Sequence, residues 1–333
     1  MIDRIQYEKI TQDFNAVQSS EAYETHSKYA VHKPMFEKIL GKPELLDAAP
    51  QILKTANGRL RVTSWNIERG MALPSIIQTL KEHPVLSISD VLLLTEVDCG
   101  MVRSGNVHVA RELSEKLNLY AAYVPCYFNL DRGNGVENFF VQGTNTSGLQ
   151  GHAILSRYPI RHARAVCLPN TKDHLHGKER QIGNEYALIV NIQHPAFTFD
   201  AICVHLAAHS SRKQRVAHMK EISKSLHNQH GLAIMGGDLN TSTYNSNSAT
   251  RTILRYWRRV SHSAFPETYF EKKLFQTMRD VGFTEEGFDL KLDGFLGRRF
   301  KPVFTEIVKD LPRGIDRYSD HDPIVVDILP QNA

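Results

Sequence analysis

Short apolar runs recur along this chain, and one after another they close on an acid, an amide or a histidine. The sharpest is Leu232-Ala233-Ile234-Met235, of a length suited to a buried strand. Gly236 and Gly237 follow, where the backbone can turn and pack close to other groups, and then come Asp238 and Asn240. If the chain stays extended past the glycines, a spacing of two puts both polar side chains on one face. An Asx-turn capping the strand end accounts for the same pair, and this stretch alone does not separate the two. The pattern repeats elsewhere. Residues 59–67 alternate as a strand does, with Asn66 at the end. Residues 90–96 are almost wholly apolar, as in a strand buried on both faces, and end in Glu96. Residues 151–156 form a strand carrying His152, and residues 201–204 lead to His205. Residues 290–296 contain Asp293, and Asp320 and His321 precede a last strand at 324–328. Layered α/β proteins build their sites at the carboxyl ends of strands, which is where these residues fall.

Between the strands, residues 74–83, 106–117 and 212–227 carry helical spacing, with Pro74 near the first turn of its helix. Residues 185–192 and 197–205 read as two strands joined by a turn at His194-Pro195. Residues 173–183 are polar and read as a loop. Residues 1–57 look like an extension of short helices packed on a main domain of 58–333, with helical spacing at 35–40 and 45–53. Residues 250–260 are a basic helix candidate. Trp257 there could stack a base, but a surface helix burying Ile253 and Trp257 fits the spacing better. His174, His176 and His209 are expected at the surface.

The chain has 333 residues and is 41% apolar, within reach of one large α/β sandwich or barrel. A net charge of +4 is compatible with a polyanionic partner. Cys99, Cys126, Cys167 and Cys203 are far apart and form no C-x-x-C pair, so they read as reduced thiols. The start of the chain is not a signal peptide, and no run approaches the ~18 apolar residues of a membrane span. A soluble, cytoplasmic protein is expected.

The ordered set SWNIERG (64–70), LLLTEVD (92–98), GHAILSRYP (151–159), CVHLAAHSS (203–211), GGDLNT (236–241), LDGFL (292–296) and SDHDPI (319–324) resembles the endonuclease/exonuclease/phosphatase superfamily over roughly residues 58–333. GGDLN and SDHDP are specific signals; WNI and a Glu after an apolar strand are weak singly. The resemblance implies an α/β fold, a four-layered sandwich of two packed mixed β-sheets flanked by helices. It also implies cleavage of phosphate esters dependent on Mg²⁺ or Mn²⁺. Mg²⁺ takes oxygen ligands and is often held by one or two carboxylates; Glu96 fits as main ligand, with Asn66 and Asp320 beside it. By the same resemblance His321 faces the scissile phosphate, paired with Asp293. Asp238 orients or deprotonates the attacking water, Asn240 holds a phosphate oxygen, and His205 protonates the leaving group or stabilises the transition state.

His152 stands where relatives more often have Asn, and is a weaker candidate for substrate contact. Arg103 and Arg180 are further candidates to reach phosphate. The AP endonuclease branch places a tyrosine at the position of His205, which argues against abasic-site repair. The 5-phosphatase branch carries a Trp before the Gly-Asp and a later Cys-Asp-Arg, both missing here. A nuclease-type phosphodiesterase is therefore favoured, with nucleic acid as partner. A phospholipid or sphingomyelin phosphodiesterase or phosphatase, and a catalytically silent module gripping a phosphate backbone, are the alternatives. The number of metal ions and the oligomeric state are not readable from the chain.

Overall fold

In chain order the elements are α1 (Arg4–Asp13), α2 (Ser20–Glu24), α3 (Tyr29–Ile39), β1 (Glu44–Leu46), β2 (Leu60–Arg69), α4 (Leu73–Glu82), β3 (Val91–Cys99), α5 (Val109–Leu117), β4 (Tyr120–Asn129), α6 (Glu137–Phe140), β5 (Leu149–Ser156), β6 (Ile160–Cys167), β7 (Gln181–Gly183), β8 (Tyr186–His194), β9 (Phe197–His205), α7 (Arg212–Leu226), β10 (Leu232–Asp238), α8 (Lys272–Arg279), β11 (Asp293–Arg298), β12 (Phe300–Ile307) and β13 (Ile324–Pro330). This is a computed structural model that describes residues 2–46, 58–135, 137–207, 210–226, 230–240, 271–288 and 293–331. The basic stretch at 250–260, and His209, lie outside the described residues.

Two mixed sheets form. One runs β1-β4-β5-β3-β2-β13-β12 with β7 paired to β4; the other runs β11-β10-β9-β8-β6. Their inner faces meet in a core that includes Val62, Leu93 and Ile154 from the first sheet and Val190, Phe199, Ile234 and Phe295 from the second. On the outer face of the first sheet, Trp65, Leu94 and Leu155 pack with Ile76 of α4 and Leu113 of α5. On the outer face of the second, Ile202 and Met235 pack with Met219 of α7 and Phe275 of α8. The result is the expected four-layered α/β sandwich. Each sheet contains one parallel pair, β2 with β3 and β9 with β10. Parallel neighbours end at the same edge, so Asn66, Glu96, His205 and Asp238 are all delivered to one rim.

The first residues are wound into the body. Tyr7, Ile10, Phe14 and Phe36 share the core that holds Trp65, and β1 pairs with the edge of β4. Helical spacing at 45–53 is corrected at its start: Glu44–Leu46 is a strand, because its backbone completes the β4 ladder and Leu46 is buried there. Residues 47–57 lie outside the described residues. Arg180 hydrogen-bonds the Asn15 carbonyl at 2.6 Å and that of Val17 at 3.2 Å, and the Ser20 hydroxyl donates to Asp173 at 2.8 Å. The polar stretch 173–183 is not all loop, since Gln181–Gly183 adds a short strand. His174 is buried against Tyr127, not at the surface.

Three strands carry no clear period in the sequence, for separate reasons. β4 contains Pro125, accommodated at a register shift between Pro125 and Tyr127, the kind of irregularity that tolerates a missing donor. β6 and β12 are edge strands with mixed, partly exposed faces, so burial imposes no alternation on them. Among the described residues no helix is long and apolar enough to cross a membrane.

Gly237 sets how β10 meets β9. Its φ is +138°, and a Cβ there would lie 1.9 Å from the Val204 carbonyl oxygen. Gly237→Ala is therefore expected to destabilise the fold by ~1–3 kcal/mol or more, read as a lowered urea midpoint. An unchanged midpoint would show that β9 and β10 do not approach this closely.

Candidate active site

The rim where the two sheets meet collects buried charge. Asp238 ends β10 between His205 of β9 and Asp293 of β11, its partners in register on either side. Its carboxylate does two jobs. Oδ1 accepts the Asn240 backbone N–H at 2.9 Å, and Oδ2 lies 3.5 Å from His205 Nε2, 3.7 Å from His321 Nε2 and 3.4 Å from Asn66 Nδ2. The Asx-turn reading of Asp238 holds through Oδ1, while Oδ2 faces the other rim groups. The extended continuation does not hold: Asn240 has φ +48°, a left-handed turn that Asn tolerates. Its Nδ2 donates to the Leu206 carbonyl at 2.7 Å, so the amide fastens two strand ends together.

His321 sits in the loop before β13. Its Nδ1 lies 2.5 Å from Asp293 Oδ2; a carboxylate only accepts, so the ring nitrogen donates. Burial alone would lower the imidazole pKa, but the hydrogen bond and charge of Asp293, with Asp238 and Asp320 nearby, raise it to about 10. His321 is an imidazolium at neutral pH, with Nε2 turned to the site. The loop is pinned to β2 from two sides: Ser319 Oγ donates to the Asn66 carbonyl at 2.5 Å and accepts the His321 N–H at 3.1 Å, and Trp65 Nε1 donates to the His321 carbonyl at 3.0 Å. Trp65 and Ser319 had no assigned role, although both lie inside the motifs SWNIERG and SDHDPI. Asp320 is exposed and, with His321, Arg317 and Tyr318, lines a cavity of about 150 Å³.

Glu96 owes its position to an irregularity. Asn66 pairs with Thr95 and Arg69 with Val97, while on the other side Leu94 pairs with Ala153 and Val97 with Gly151. Glu96 falls inside both register shifts, with φ +51°; Glu68 and Arg69 across from it also have positive φ, +44° and +67°. Non-glycine residues persist there only when their surroundings hold them. Asn66 Nδ2 donates to Glu96 Oε1 at 3.0 Å, and Arg69 Nε lies 3.5 Å from Oε2. Burial works against ionisation of Glu96, but His205, Arg69 and the Asn66 hydrogen bond overcome it and hold the carboxyl below its ordinary range. Burial pushes Asp238 the other way, up to about 6, with Asp293 adding to the rise and His205 and His321 resisting it. For His205, burial is outweighed by Asp238 and Glu96, and its pKa is raised.

The remaining candidates divide. His152, opposite the Glu96 bulge, is buried with its ring centroid 6.0 Å from that of His205. Burial and the charge of His205 lower its pKa to about 4, so it is a neutral imidazole. Neither ring nitrogen has a hydrogen-bond partner among the described residues. Arg103 and Arg180 are corrected. Arg103 has no exposed side-chain surface and donates to Asp98 at 2.8 and 3.0 Å and to Glu179 at 2.8 Å. Arg180 is taken by Asp131 and the Asn15 and Val17 carbonyls. Both guanidiniums are thus taken up by acids or carbonyls of the chain itself, Arg103 in full burial and Arg180 partly exposed. Arg69, unassigned from sequence, lies 3.5 Å from Glu96.

A hard divalent cation suits this chemistry, because the acidic groups on the rim are oxygen donors. Asp238, Asp293 and His321 bring one ligand atom each within 4.8 Å of one another. Within that trio His321 and Asp293 are hydrogen-bonded, and Asp238 lies 3.7 Å from His321 Nε2. Glu96, held by Asn66 and Arg69, and the exposed Asp320 next to His321 are further carboxylates of this region. Asn66 differs from expectation: its Oδ1 accepts the Glu68 N–H at 3.1 Å, and its nitrogen serves the two carboxylates.

A model of the Endonuclease/Exonuclease/phosphatase family matches residues 63–321. No curated protein sequence gives a significant match. Among solved structures, an endonuclease/exonuclease/phosphatase from Beutenbergia cavernae DSM 12333 is similar, with 17% identity and a TM-score of 0.52, covering 83% of this chain and 73% of that one. The human Nocturnin catalytic domain has 15% identity and a TM-score of 0.48, covering 87% of this chain and 97% of that one. The likeness to the Beutenbergia cavernae structure speaks to the fold alone, and the family match over residues 63–321 covers most of the chain: this protein belongs to the endonuclease/exonuclease/phosphatase family.

Proposed function

We propose that this protein is a divalent-metal-dependent phosphodiesterase of the nuclease type. The observation that carries the reading is the convergence of Asp238 with His205, His321–Asp293 and the Asn66–Glu96 pair on one buried rim. Structural ion pairs rarely gather two histidines and three acids at the ends of strands from both sheets; groups with displaced pKa values cluster where chemistry is done.

In this reading Asp238 Oδ2 accepts the proton of a water whose oxygen attacks phosphorus. The P–O bond to the leaving group breaks, and protonated His205 returns a proton to the departing oxygen. The His321 imidazolium faces the phosphoryl oxygens and offsets the charge that grows on them. Asp293 keeps it charged and fixes the ring, and Asn240 fixes Asp238. When bound at Glu96 with Asp320 beside it, Mg²⁺ or Mn²⁺ would supply Lewis-acid polarisation of a phosphoryl oxygen. His152 stays neutral and buried beside His205. Nucleic acid is the favoured partner, supported by the net charge of +4.

Purified protein with Mg²⁺ or Mn²⁺ is expected to hydrolyse bis(p-nitrophenyl) phosphate and to stop on addition of EDTA. His321→Ala and Asp238→Ala should each lower kcat by ~10²–10⁴-fold while circular dichroism stays unchanged. Turnover close to wild type in either variant would sink the role assignments, and inactivity with both metals would favour a silent phosphate-binding module.

The pH dependence has a sign. Asp238 must be ionised to take a proton, so kcat should fall as pH drops below about 6. His321 rises from 6.5 to about 10 on folding, so the stability it contributes is complete below pH 6.5 and is lost as pH climbs through 10. Thermal melts of the metal-free protein between pH 7 and 10 should show Tm falling in the wild type and falling less in Asp293→Asn. Parallel curves would mean that the His321–Asp293 pair does not set this dependence.

A further inference from the structure

Phe139 and Phe140 are the most exposed large hydrophobic side chains among the described residues, at 84% and 80%. They lie on the single turn α6, whose first residue, Glu137, is tied to the catalytic rim. Arg69 donates to Glu137 at 2.7 Å and lies 3.5 Å from Glu96. Glu137 also accepts the Asn134 N–H at 2.8 Å and sits 3.6 Å from the buried Arg103. Asn138 Oδ1 accepts the Gly133 N–H at 2.9 Å. The turn is therefore held in place by hydrogen bonds and ion pairs, while its two phenyl rings are left to solvent. Two adjacent rings this exposed on a fixed turn form an apolar surface, and a rigid exposed aromatic surface marks a contact site.

The charge around the turn says what the rings contact. Asp131 is paired with Arg180 at 2.7 Å and Glu137 with Arg69, so the acids of this region face inward. Arg132 and Lys178, which flank the turn, are exposed; Lys178 packs beside Gly135 and its carbonyl accepts the Gly135 N–H at 3.1 Å. Two outward cations beside two outward rings match a strand that offers alternating phosphates and bases. Base stacking on aromatic side chains with cations tracking the backbone is how unpaired nucleic acid is gripped. A membrane surface would call for a broader apolar face than one helical turn presents.

We propose that α6 is a stacking platform for an unpaired base flanking the scissile phosphate, which makes the substrate a single-stranded nucleic acid. This rests on the phosphodiesterase reading for its purpose but not for its test. The Glu96–Arg69–Glu137 chain of ion pairs links the platform to the catalytic rim and holds the two at a fixed separation.

Equilibrium binding tests it without turnover. Fluorescence anisotropy is measured in EDTA with a short labelled oligothymidylate and with a strand of equal length made of abasic residues. The wild type should prefer the base-bearing strand. Phe139→Ala/Phe140→Ala should weaken that strand by roughly 5–100-fold and leave the abasic strand within about twofold. Phe139→Leu/Phe140→Leu, which keeps apolar area and removes the π-faces, should follow the alanine pair. Equal loss on both strands, no loss on either, or a leucine pair that behaves as wild type each overturns the platform. So does wild-type binding to phosphatidylcholine–sphingomyelin vesicles that disappears in the alanine pair while oligonucleotide binding persists. Hydrolysis of bis(p-nitrophenyl) phosphate, followed in parallel, reports on the catalytic reading separately. Base-dependent binding without hydrolysis would support the platform and count against the enzyme.

Discussion

A buried carboxylate, Asp238, organises the rim of this protein. A charge removed from water must be matched by donors and counter-charges, and Asp238 finds them on every side: Asn66 from one sheet, His205 from its own, His321 from a loop, and a backbone N–H from its own turn. Satisfying that one group draws together segments far apart in the chain. The compensation is incomplete, because Asp293 lies beside it in register. Two neighbouring acids cannot both be fully ionised without a cation between them, and His321 occupies that place, with Nδ1 on Asp293 and Nε2 3.7 Å from Asp238. The same electrostatic requirement that stabilises the rim also displaces the pKa of a carboxylate and raises that of an imidazole.

The second device is local irregularity. Glu96, Glu68 and Arg69 all take left-handed backbone conformations where β2, β3 and β5 lose register. A regular strand would alternate Glu96 into or out of the core; the bulge re-aims it along the rim, as bulges beside active sites do. The positions are over-determined by the Asn66 amide, the Arg69 guanidinium and the Glu137 carboxylate. Strain, hydrogen bonding and ion pairing thus act on the same few residues, and α6 is drawn into the arrangement through Glu137.

Much of the fold was legible because burial imposes period. Strands β2, β3, β5, β8, β9, β10 and β13 and helices α4, α5 and α7 are packed on a defined face, and their sequences show it. The misses have the opposite cause. β6 and β12 are edges, β4 is broken by Pro125, and β1 and β7 are three residues long, so no face requirement is written into them. The site followed the same logic. Asp238, Asp293, His205, His321, Asn66 and Glu96 stood out in the sequence because each lies at or beside the end of an apolar run, and the structure brings them to one rim although Asn66 and Glu96 fall inside β2 and β3. Arg103 and Arg180 were misplaced because an arginine in a loop reads alike whether it meets substrate or a buried Asp98, Glu179 or Asp131.

What the chain determined by itself was the set of strands that end in functional groups and the order in which they come, since hydrophobic period and terminal polarity are local properties. What only the tertiary structure decided was which atoms of those groups face each other. Asp238 divides its oxygens between a turn and the site, Asn66 gives its nitrogen and not its oxygen to the carboxylates, and Arg69 rather than Arg103 reaches Glu96. Those choices depend on register shifts and left-handed turns a few ångströms across. They are settled by the three-dimensional pairing of buried charges, which no local spacing in the chain encodes.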